Sequence, residues 1–178
     1  PTQDLTPIAA LANLTDLNLA GISIKDIQSL GRMTKLMKLS ISSTSAVTDF
    51  SPLANLTSLT SLELDRCAIS ASDLSSISGL VELTWLSLAG NEISDINSLS
   101  DLKNLTYLGL GENELAEVTS LSGMADLAEL YLYGNRISDA VPLAGLKNLK
   151  ELNLKTNPIP FAQKETLKQA LPNCYTIF

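Results

Sequence analysis

The side chain that most often performs acid–base catalysis is missing from this sequence. Histidine is absent, which removes the commonest general base, the Ser–His and Cys–His nucleophile pairs and most zinc sites. Nothing in the spacing of the carboxylates favours a glycosidase pair, and those that recur once per repeat are expected to cap turns rather than bind calcium. We therefore expect a protein that is not an enzyme and that needs no cofactor and no metal.

Side chains suited to recognition are concentrated in one stretch. Leucine and tyrosine alternate in ELYLYGN, residues 129–135. Alternate side chains of a strand point to opposite faces, so Tyr131 and Tyr133 should face solvent if Leu130 and Leu132 face a core. The chain has only eight aromatic residues, one Trp, four Tyr and three Phe. Two of them side by side in water indicate a surface that contacts something else.

Composition limits the class of partner. The formal net charge is −7 and the pI is near 4.5, which disfavours nucleic acid because that ligand requires a clustered basic face. No apolar run approaches the ~18 residues of a membrane span. With 45% hydrophobic residues, 178 residues are enough for one domain with a large core. We expect a monomer that neither binds nucleic acid nor inserts into a membrane.

The elements that position these residues are sequence repeats. Leucines recur at the first, fourth and sixth positions of each unit, and asparagine recurs at the ninth in the regular units. Seven units follow one another along the chain: 14–35, 36–58, 59–82, 83–104, 105–126, 127–148 and 149–170. A unit of this size cannot bury its own leucines, whereas stacked units bury them in one continuous core. The alternating LxxLxL segments predict short strands, and identical stacked strands predict a parallel sheet.

The ninth position predicts a ladder of buried hydrogen bonds beside the sheet. An asparagine amide both donates to and accepts from backbone groups that would otherwise be unpaired. The ladder positions are Ile22, Thr44, Cys67, Asn91, Asn113, Asn135 and Asn157. Threonine and cysteine replace only part of this bonding, and isoleucine replaces none. We predict that the first three units are the less stable half of the protein.

The pattern LxxLxLxxNxIxDIxxLxxL resembles the leucine-rich repeat, in the 22-residue form of bacterial internalin-like proteins and of the SDS22-like phosphatase regulators. The resemblance covers nearly the whole chain. It implies an α/β leucine-rich repeat solenoid, curved with a parallel β-sheet on the concave face and short 3₁₀ or extended turns on the convex face. We expect turn-capping aspartates on that convex side: Asp26, Asp49, Asp95 and Asp139.

Both ends of the solenoid are expected to be covered. We expect a single domain over residues 1–178, divided into a partial N-terminal repeat (1–13), seven strand-bearing repeats (14–160) and a C-terminal cap (161–178). Residues 1–13 match the back half of a repeat, which indicates either a cap or, as we favour, a trimmed chain. The cap should contain a helix with Phe161 and Leu167 inward, then a degenerate strand with Cys174 at the fourth leucine position.

The two cysteines lie too far apart along the solenoid to pair with each other. Cys67 lies in the ladder, more than four repeats away from Cys174. At about 4.8 Å per repeat, that separation is too large for a disulfide. We expect two buried free thiols.

The outward positions of the strands, the third, fifth and seventh of each unit, predict the binding surface. They hold four of the eight aromatics, in units four to six, with mostly acidic side chains around them. The candidate partner-binding residues are Trp85, Tyr107, Tyr131, Tyr133, Glu63, Asp65, Arg66, Gly109, Gly111, Glu129 and Glu151. Aromatic residues are enriched at the centres of interfaces, and the acids would attract a basic partner.

The outward glycines, Gly109 and Gly111, lie beside the two tyrosines. Glycine in a strand often marks a place where something approaches closely. We expect a shallow notch floored by glycine and walled by Trp85, Tyr131 and Tyr133. The alternative is that the tyrosine rings fold over the glycines and fill the gap themselves.

These features indicate a non-enzymatic module that binds a protein or peptide, with a basic surface, on its concave face. The resemblance to internalin-like proteins implies bacterial surface adhesion or host-cell interaction, and an extracellular or cell-surface location. The alternatives are an intracellular scaffold or regulatory subunit, as the SDS22-like resemblance implies, carbohydrate binding through the aromatics, and a structural spacer. A signal peptide upstream of Pro1 would decide between a surface and a cytoplasmic location.

Overall fold

A computed structural model describes residues 3–178 and shows a single open sheet of eight parallel strands. The strands are β1 (Asp16–Asn18), β2 (Lys38–Ser40), β3 (Ser61–Glu63), β4 (Trp85–Ser87), β5 (Tyr107–Gly109), β6 (Glu129–Tyr131), β7 (Glu151–Asn153) and β8 (Tyr175–Ile177). They lie in chain order, so each strand pairs with the strands of the preceding and following repeats. This is the predicted leucine-rich repeat solenoid, with the sheet on its concave face.

The convex side is made of short turns. Six 3₁₀ helices run over Gln28–Arg32, Ser51–Asn55, Asp73–Ser76, Asn97–Leu99, Thr119–Gly123 and Val141–Gly145. Two α-helices flank the repeats, α1 (Thr6–Ala9) and α2 (Phe161–Ala170). Neither they nor any other helix in residues 3–178 is long and apolar enough to cross a membrane.

The predicted aspartates begin four of these turns. The carboxylates of Asp26, Asp49, Asp95 and Asp139 each accept a hydrogen bond, of 2.7 to 3.0 Å, from the backbone N–H two residues further on. The donor is in each case the first residue of the 3₁₀ helix, and the helix itself would leave that N–H unpaired. In the third repeat, Asp73 has a related role, because its carboxylate accepts from the backbone N–H of Ser70 at 2.9 Å.

The core is a continuous stack of leucines. In the strands, the central residues pair in register from Leu17↔Leu39 through Leu130↔Leu152, and from the third repeat to the sixth their side chains are fully buried. At the N-terminal end the same position is less covered, since Leu17 is only half-buried. The first repeat therefore has the weakest core.

The strands stay in register although the repeats differ in length. Successive paired residues are Asp16, Lys38, Ser61 and Trp85, which are 22, 23 and 24 residues apart. The extra residues are absorbed between the ladder and the convex turn. The buried pair Ile69 and Leu74, for example, is five residues apart, where the regular repeat spaces the corresponding pair, Ile93 and Ile96, by three.

The asparagine ladder forms as predicted in the regular repeats. The Asn135 amide nitrogen donates to the carbonyl oxygens of Leu110 and Leu132, both at 2.9 Å, and its oxygen accepts from the Leu115 N–H at 2.9 Å. Asn91, Asn113 and Asn157 make equivalent bonds. Each asparagine thus joins its own repeat to the one before it.

The irregular ladder positions make fewer bonds. The Thr44 hydroxyl donates to the Ile41 carbonyl oxygen at 3.0 Å, and the Cys67 thiol reaches the same oxygen at 2.9 Å. In the described part of the chain, neither side chain accepts a backbone N–H as the asparagine oxygens do. Ile22, at the first ladder position, is 36% exposed. Thr44 and Cys67 together therefore supply the donor bonds that a single asparagine makes in the regular repeats. Neither of them supplies the acceptor.

The position before the ladder adopts a left-handed backbone conformation in all seven repeats. Its φ values lie between 54° and 73°, at Gly21, Ser43, Arg66, Gly90, Glu112, Gly134 and Thr156. This conformation costs a non-glycine residue about 1 kcal/mol, and four of the seven positions are not glycine. The turn geometry is therefore imposed by the repeat as a whole rather than by local preference.

Two details of the C-terminal cap differ from the sequence-based prediction. Phe161 is 77% exposed rather than inward, because it lies six residues, or about 120° around the helix, from the buried Leu167. Cys174 does not occupy the fourth leucine position, since Leu152 pairs with Thr176 instead. The ten-residue helix α2 lengthens the last connection by two residues, and an even shift keeps the same side chains on the same face.

The cysteines are free, as predicted. Cys67 is buried in the ladder, whereas Cys174 is only half-buried because it precedes strand β8.

Candidate functional site

The register of the sheet aligns the outward side chains in rows that cross the strands. The third-position row is Asp16, Lys38, Ser61, Trp85, Tyr107, Glu129, Glu151 and Tyr175. The fifth-position row is Asn18, Ser40, Glu63, Ser87, Gly109, Tyr131, Asn153 and Ile177. These rows bring residues from eight strands onto one rigid surface, with neighbours about 4.8 Å apart.

Three of the predicted aromatics form a stacked group, which we call the aromatic ridge: Trp85, Tyr107 and Tyr131. The rings of Trp85 and Tyr107 stack with centroids 4.7 Å apart and an angle of 12° between their planes. Tyr131 follows at 5.4 Å from Tyr107 with a 41° tilt. Each ring is half-buried by its neighbours and leaves the remainder facing solvent. The ridge holds its shape before any partner arrives, because each ring fixes the next.

The predicted notch over the glycines is wrong. A β-carbon placed on Gly111 would lie 2.4 Å from two ring carbons of Tyr133, so that ring covers the glycine. On Gly109 it would lie 3.0 Å from the Ser87 hydroxyl and 3.3 Å from the Tyr107 hydroxyl. Both glycines are buried. The rings of Tyr107 and Tyr133 therefore cover the glycines. A side chain at Gly111 would clash with the Tyr133 ring.

The acids of the third repeat are tied into the sheet. Glu63 accepts a hydrogen bond from the Ser42 hydroxyl at 2.7 Å. One oxygen of Asp65 accepts from the Ser87 hydroxyl at 2.7 Å and from the Ala89 N–H at 2.8 Å. These carboxylates therefore hold neighbouring repeats together, in addition to giving the face its negative charge.

Tyr133, Glu63, Asp65 and Arg66 surround a small concavity of about 230 Å³ beside the ridge. Arg66 lies over Gly90 and pairs with Glu112 at 3.8 Å, and both of these charged side chains are largely exposed. Such an exposed pair contributes little to stability, about 0–1 kcal/mol. The ridge and this concavity are therefore two separate groups of predicted site residues, where a single notch was expected.

The acids at the C-terminal side of the ridge have a different environment. Glu129 and Glu151 are register partners on β6 and β7, and the Tyr131 hydroxyl donates to Glu129 at 3.3 Å. Burial raises the pKa of Tyr131 well above its usual value, and the negative charges of Glu151 and Glu129 raise it further. Burial likewise raises the pKa of Tyr107, with smaller contributions from Asp65 and Glu129. Both phenols stay protonated, and hence able to donate, at any physiological pH.

The sequence-based prediction missed two residues of this surface, Tyr175 and Ile177. They extend the two rows because β8 starts 24 residues after β7 rather than 22. Tyr175 is 69% exposed. The alternation of Tyr175, Thr176 and Ile177 was the available signal, because a shift of two residues leaves Tyr175 and Ile177 on the outward face, but the predicted rows ended at the seventh repeat.

Two larger concavities are also present, one next to the ridge and one near the N-terminus. One of about 480 Å³ lies on the concave face beside Trp85, among side chains that include Asp16, Lys38 and Ser61. Another of about 590 Å³ lies near the N-terminus and is lined mainly by polar groups, Asp4 and Arg32 among them. Within residues 3–178, no group of three or more acidic or cysteine side chains is arranged to hold a metal ion.

Comparison with known families identifies the repeat. The leucine-rich repeat model matches residues 57–115, and a two-copy leucine-rich repeat model matches residues 126–169. No protein with a curated description matches the chain.

Solved structures give a more specific likeness. Internalin InlF of Listeria monocytogenes is 34% identical, with a TM-score of 0.87 over 98% of this chain and 50% of its own. Internalin InlC2 of the same species is 34% identical, with a TM-score of 0.89 over 96% of this chain and 73% of its own. A leucine-rich repeat protein of Leptospira interrogans shares the fold at 21% identity and a TM-score of 0.77.

The chain thus spans half the length of InlF and about three quarters of InlC2. The same solenoid is seen in all three structures, and both internalins match nearly the whole of this chain at 34% identity. The chain belongs to the internalin-like leucine-rich repeat proteins of bacteria.

Proposed function

We propose that this protein is a non-enzymatic module that binds a protein or peptide partner on its concave face. The observation that carries the proposal is the aromatic ridge: three neighbouring rings in contact, half-exposed, on a sheet in which each strand is hydrogen-bonded to the next. Rigid aromatic side chains lose little conformational entropy on binding, which makes them efficient centres of interfaces.

The likeness to internalins supports a place at the bacterial surface or in the secreted fraction, in adhesion or host-cell contact. The net charge of −7 and the acids around the ridge favour a partner with a basic surface. The partner binds a monomer of this protein, because the ridge is complete within one chain.

The test uses labelled protein on an array of extracellular protein domains and, in parallel, on a glycan array. For each hit, the wild-type protein is compared with a ridge variant, Trp85→Ala/Tyr131→Ala. The matched control, Asp16→Ala/Lys38→Ala, lies on the same face and removes an exposed ion pair with a distance of 3.5 Å. Urea unfolding of all three proteins checks that each is folded.

We expect the ridge variant to lose affinity for a protein hit by about 30-fold or more, since a hot-spot residue is worth about 2 kcal/mol. The control should stay within about threefold of wild type, because exposed ion pairs contribute little. Equal affinity of the ridge variant and the wild type would contradict the proposal. A ridge-dependent glycan hit would establish carbohydrate binding in its place.

A further inference from the structure

Two carboxylates next to the ridge face each other without a counter-charge. Glu129 and Glu151 occupy the same row on adjacent parallel strands, about 4.8 Å apart along the sheet. No Lys or Arg of residues 3–178 forms an ion pair with either of them. Like charges placed side by side on a sheet destabilise it, so this arrangement costs folding free energy.

Other carboxylates on the same face are compensated. Asp16 pairs with Lys38 at 3.5 Å, and Glu112 pairs with Arg66 at 3.8 Å. Asp65 accepts two short hydrogen bonds from the next repeat. Glu129 and Glu151 differ from these residues because they are register partners of like charge, and neither has an ion pair within residues 3–178.

Aromatic rings flank the pair on two sides. Tyr131 lies in the neighbouring row and donates its hydroxyl to Glu129 at 3.3 Å. Tyr175, the register partner of Glu151 on β8, is 69% exposed. The face of a tyrosine ring attracts a cation, most strongly where neighbouring carboxylates attract it too. The negative charge and the aromatic surface therefore both favour a cationic ligand.

We propose that Glu129 and Glu151, together with Tyr131 and Tyr175, bind an arginine side chain of a partner protein. A guanidinium is planar and carries five N–H donors, so it bonds two neighbouring carboxylates while stacking on an aromatic ring. A lysine ammonium is a point charge and gains less from this geometry. The inference rests on the proposed function and specifies the partner's chemistry at the C-terminal side of the ridge.

The first test titrates the protein with three capped tripeptides, acetyl-Gly-X-Gly-amide, where X is arginine, lysine or citrulline, followed by NMR. With arginine, we expect saturable shifts of backbone amides in β6, β7 and β8, and a dissociation constant on the order of 1–10 mM for so small a probe. Lysine should bind at least threefold more weakly, and neutral citrulline should not saturate. Equal binding of citrulline, or of lysine, overturns the proposal.

The variants are Glu151→Gln, which removes one charge at the site, and Glu117→Gln, which removes one from an exposed position of the fifth repeat outside the strands. We expect Glu151→Gln to weaken the arginine peptide at least threefold and Glu117→Gln to leave it unchanged. Tyr175→Phe should keep the affinity, and Tyr175→Ala should reduce it. An equal effect of the two glutamine variants would show general attraction to a negative protein and would overturn the site.

Stability gives an independent readout. Removing one of two repelling charges should raise the urea midpoint, so Glu151→Gln should bind arginine less well and yet be more stable than wild type. A lower midpoint would show that the carboxylate serves the fold, which overturns the proposal. If the ridge variant loses its partner while Glu151→Gln keeps it, only the arginine site fails; if the ridge variant keeps its partner, the proposed function itself fails.

Discussion

The first three repeats and the next four differ in both their interior and their surface. The first three are 22, 23 and 24 residues long, with Ile22, Thr44 and Cys67 in the ladder, and their outward rows hold no aromatic side chain. The next four have asparagine at every ladder position, and their rows carry the aromatic ridge. The half with the complete ladder is thus the half with the exposed aromatics. A rigid scaffold lies under the surface that we propose to be functional.

Ladder deletion offers the largest expected effect and tests whether the two halves really differ. Asn135→Ala should lower the free energy of unfolding by about 3 kcal/mol, because it leaves the Leu115 N–H buried without a partner and takes one of two donors from each of the Leu110 and Leu132 carbonyl oxygens. Thr44→Ala should cost about 1 kcal/mol, since one hydroxyl bond is lost. Urea unfolding measures both. Equal losses would mean that the irregular ladder is as strong as the regular one.

Hydrogen exchange sharpens the comparison without any mutation. The amides of strands β1 and β2 should exchange at least tenfold faster than those of β5 and β6, which corresponds to about 1.4 kcal/mol or more of local stability. The reason is the half-buried Leu17 and the missing ladder acceptors in the first repeats. Exchange followed by NMR or mass spectrometry gives the rates. Uniform protection over the whole sheet would remove the distinction between the halves.

The left-handed turn position gives matched substitutions in the two halves. Gly134→Ala should destabilise the protein by about 1 kcal/mol, because φ there is 67° while the added β-carbon meets its neighbours no closer than 3.4 Å. Ser43→Gly, at φ 62° in the second repeat, should stabilise it by up to about 1 kcal/mol. Thermal unfolding compares the two. The two substitutions should change the stability in opposite directions. A change in the same direction would show that backbone strain at this position does not determine the stability.

The smallest expected effect is a loss of stability at alkaline pH. It should come from the second half of the protein, because all four tyrosines lie there. The pKa of Tyr131 is raised in the folded state, so folding favours the protonated phenol. That stabilisation is complete below the unfolded pKa of about 10 and is lost as the pH rises from there toward the higher folded value. Between pH 9 and 11.5, wild type should lose stability more steeply than Tyr131→Phe, by less than about 1 kcal/mol. Parallel urea-midpoint curves for the two proteins would contradict the assignment.

Much of the fold could be predicted from the sequence because it is periodic. Repeat boundaries, the register of the first seven strands, the ladder and the aspartate turns each depend on residues at fixed spacing. The prediction failed where the period ends: helix α2 adds two residues, which put Thr176 in the position predicted for Cys174 and moved Tyr175 from the fifth-position row to the third. Phe161 was also misplaced. It lies six residues before the buried Leu167, and in a helix this spacing puts the two side chains on different faces.

The surface could be predicted as rows of residues but not as a shape. Alternation is enough to place Trp85, Tyr107 and Tyr131 on one face, since it depends only on the backbone. Whether Tyr133 stands away from Gly111 or lies over it depends on a side-chain rotation that no spacing encodes. The expected notch and the observed cover use the same residues in the same rows.

The unequal repeat lengths have a consequence for how this protein can change over generations. Extra residues accumulate between the ladder and the convex turn, as between Ile69 and Leu74, while the paired strands on either side keep their alignment. An insertion or deletion at that bend therefore leaves every side chain of the sheet facing the way it did before. Substitutions on the sheet, in turn, leave the bend untouched. The inner and outer surfaces can consequently diverge separately, so a lineage can exchange one partner for another without redesigning the scaffold that presents it.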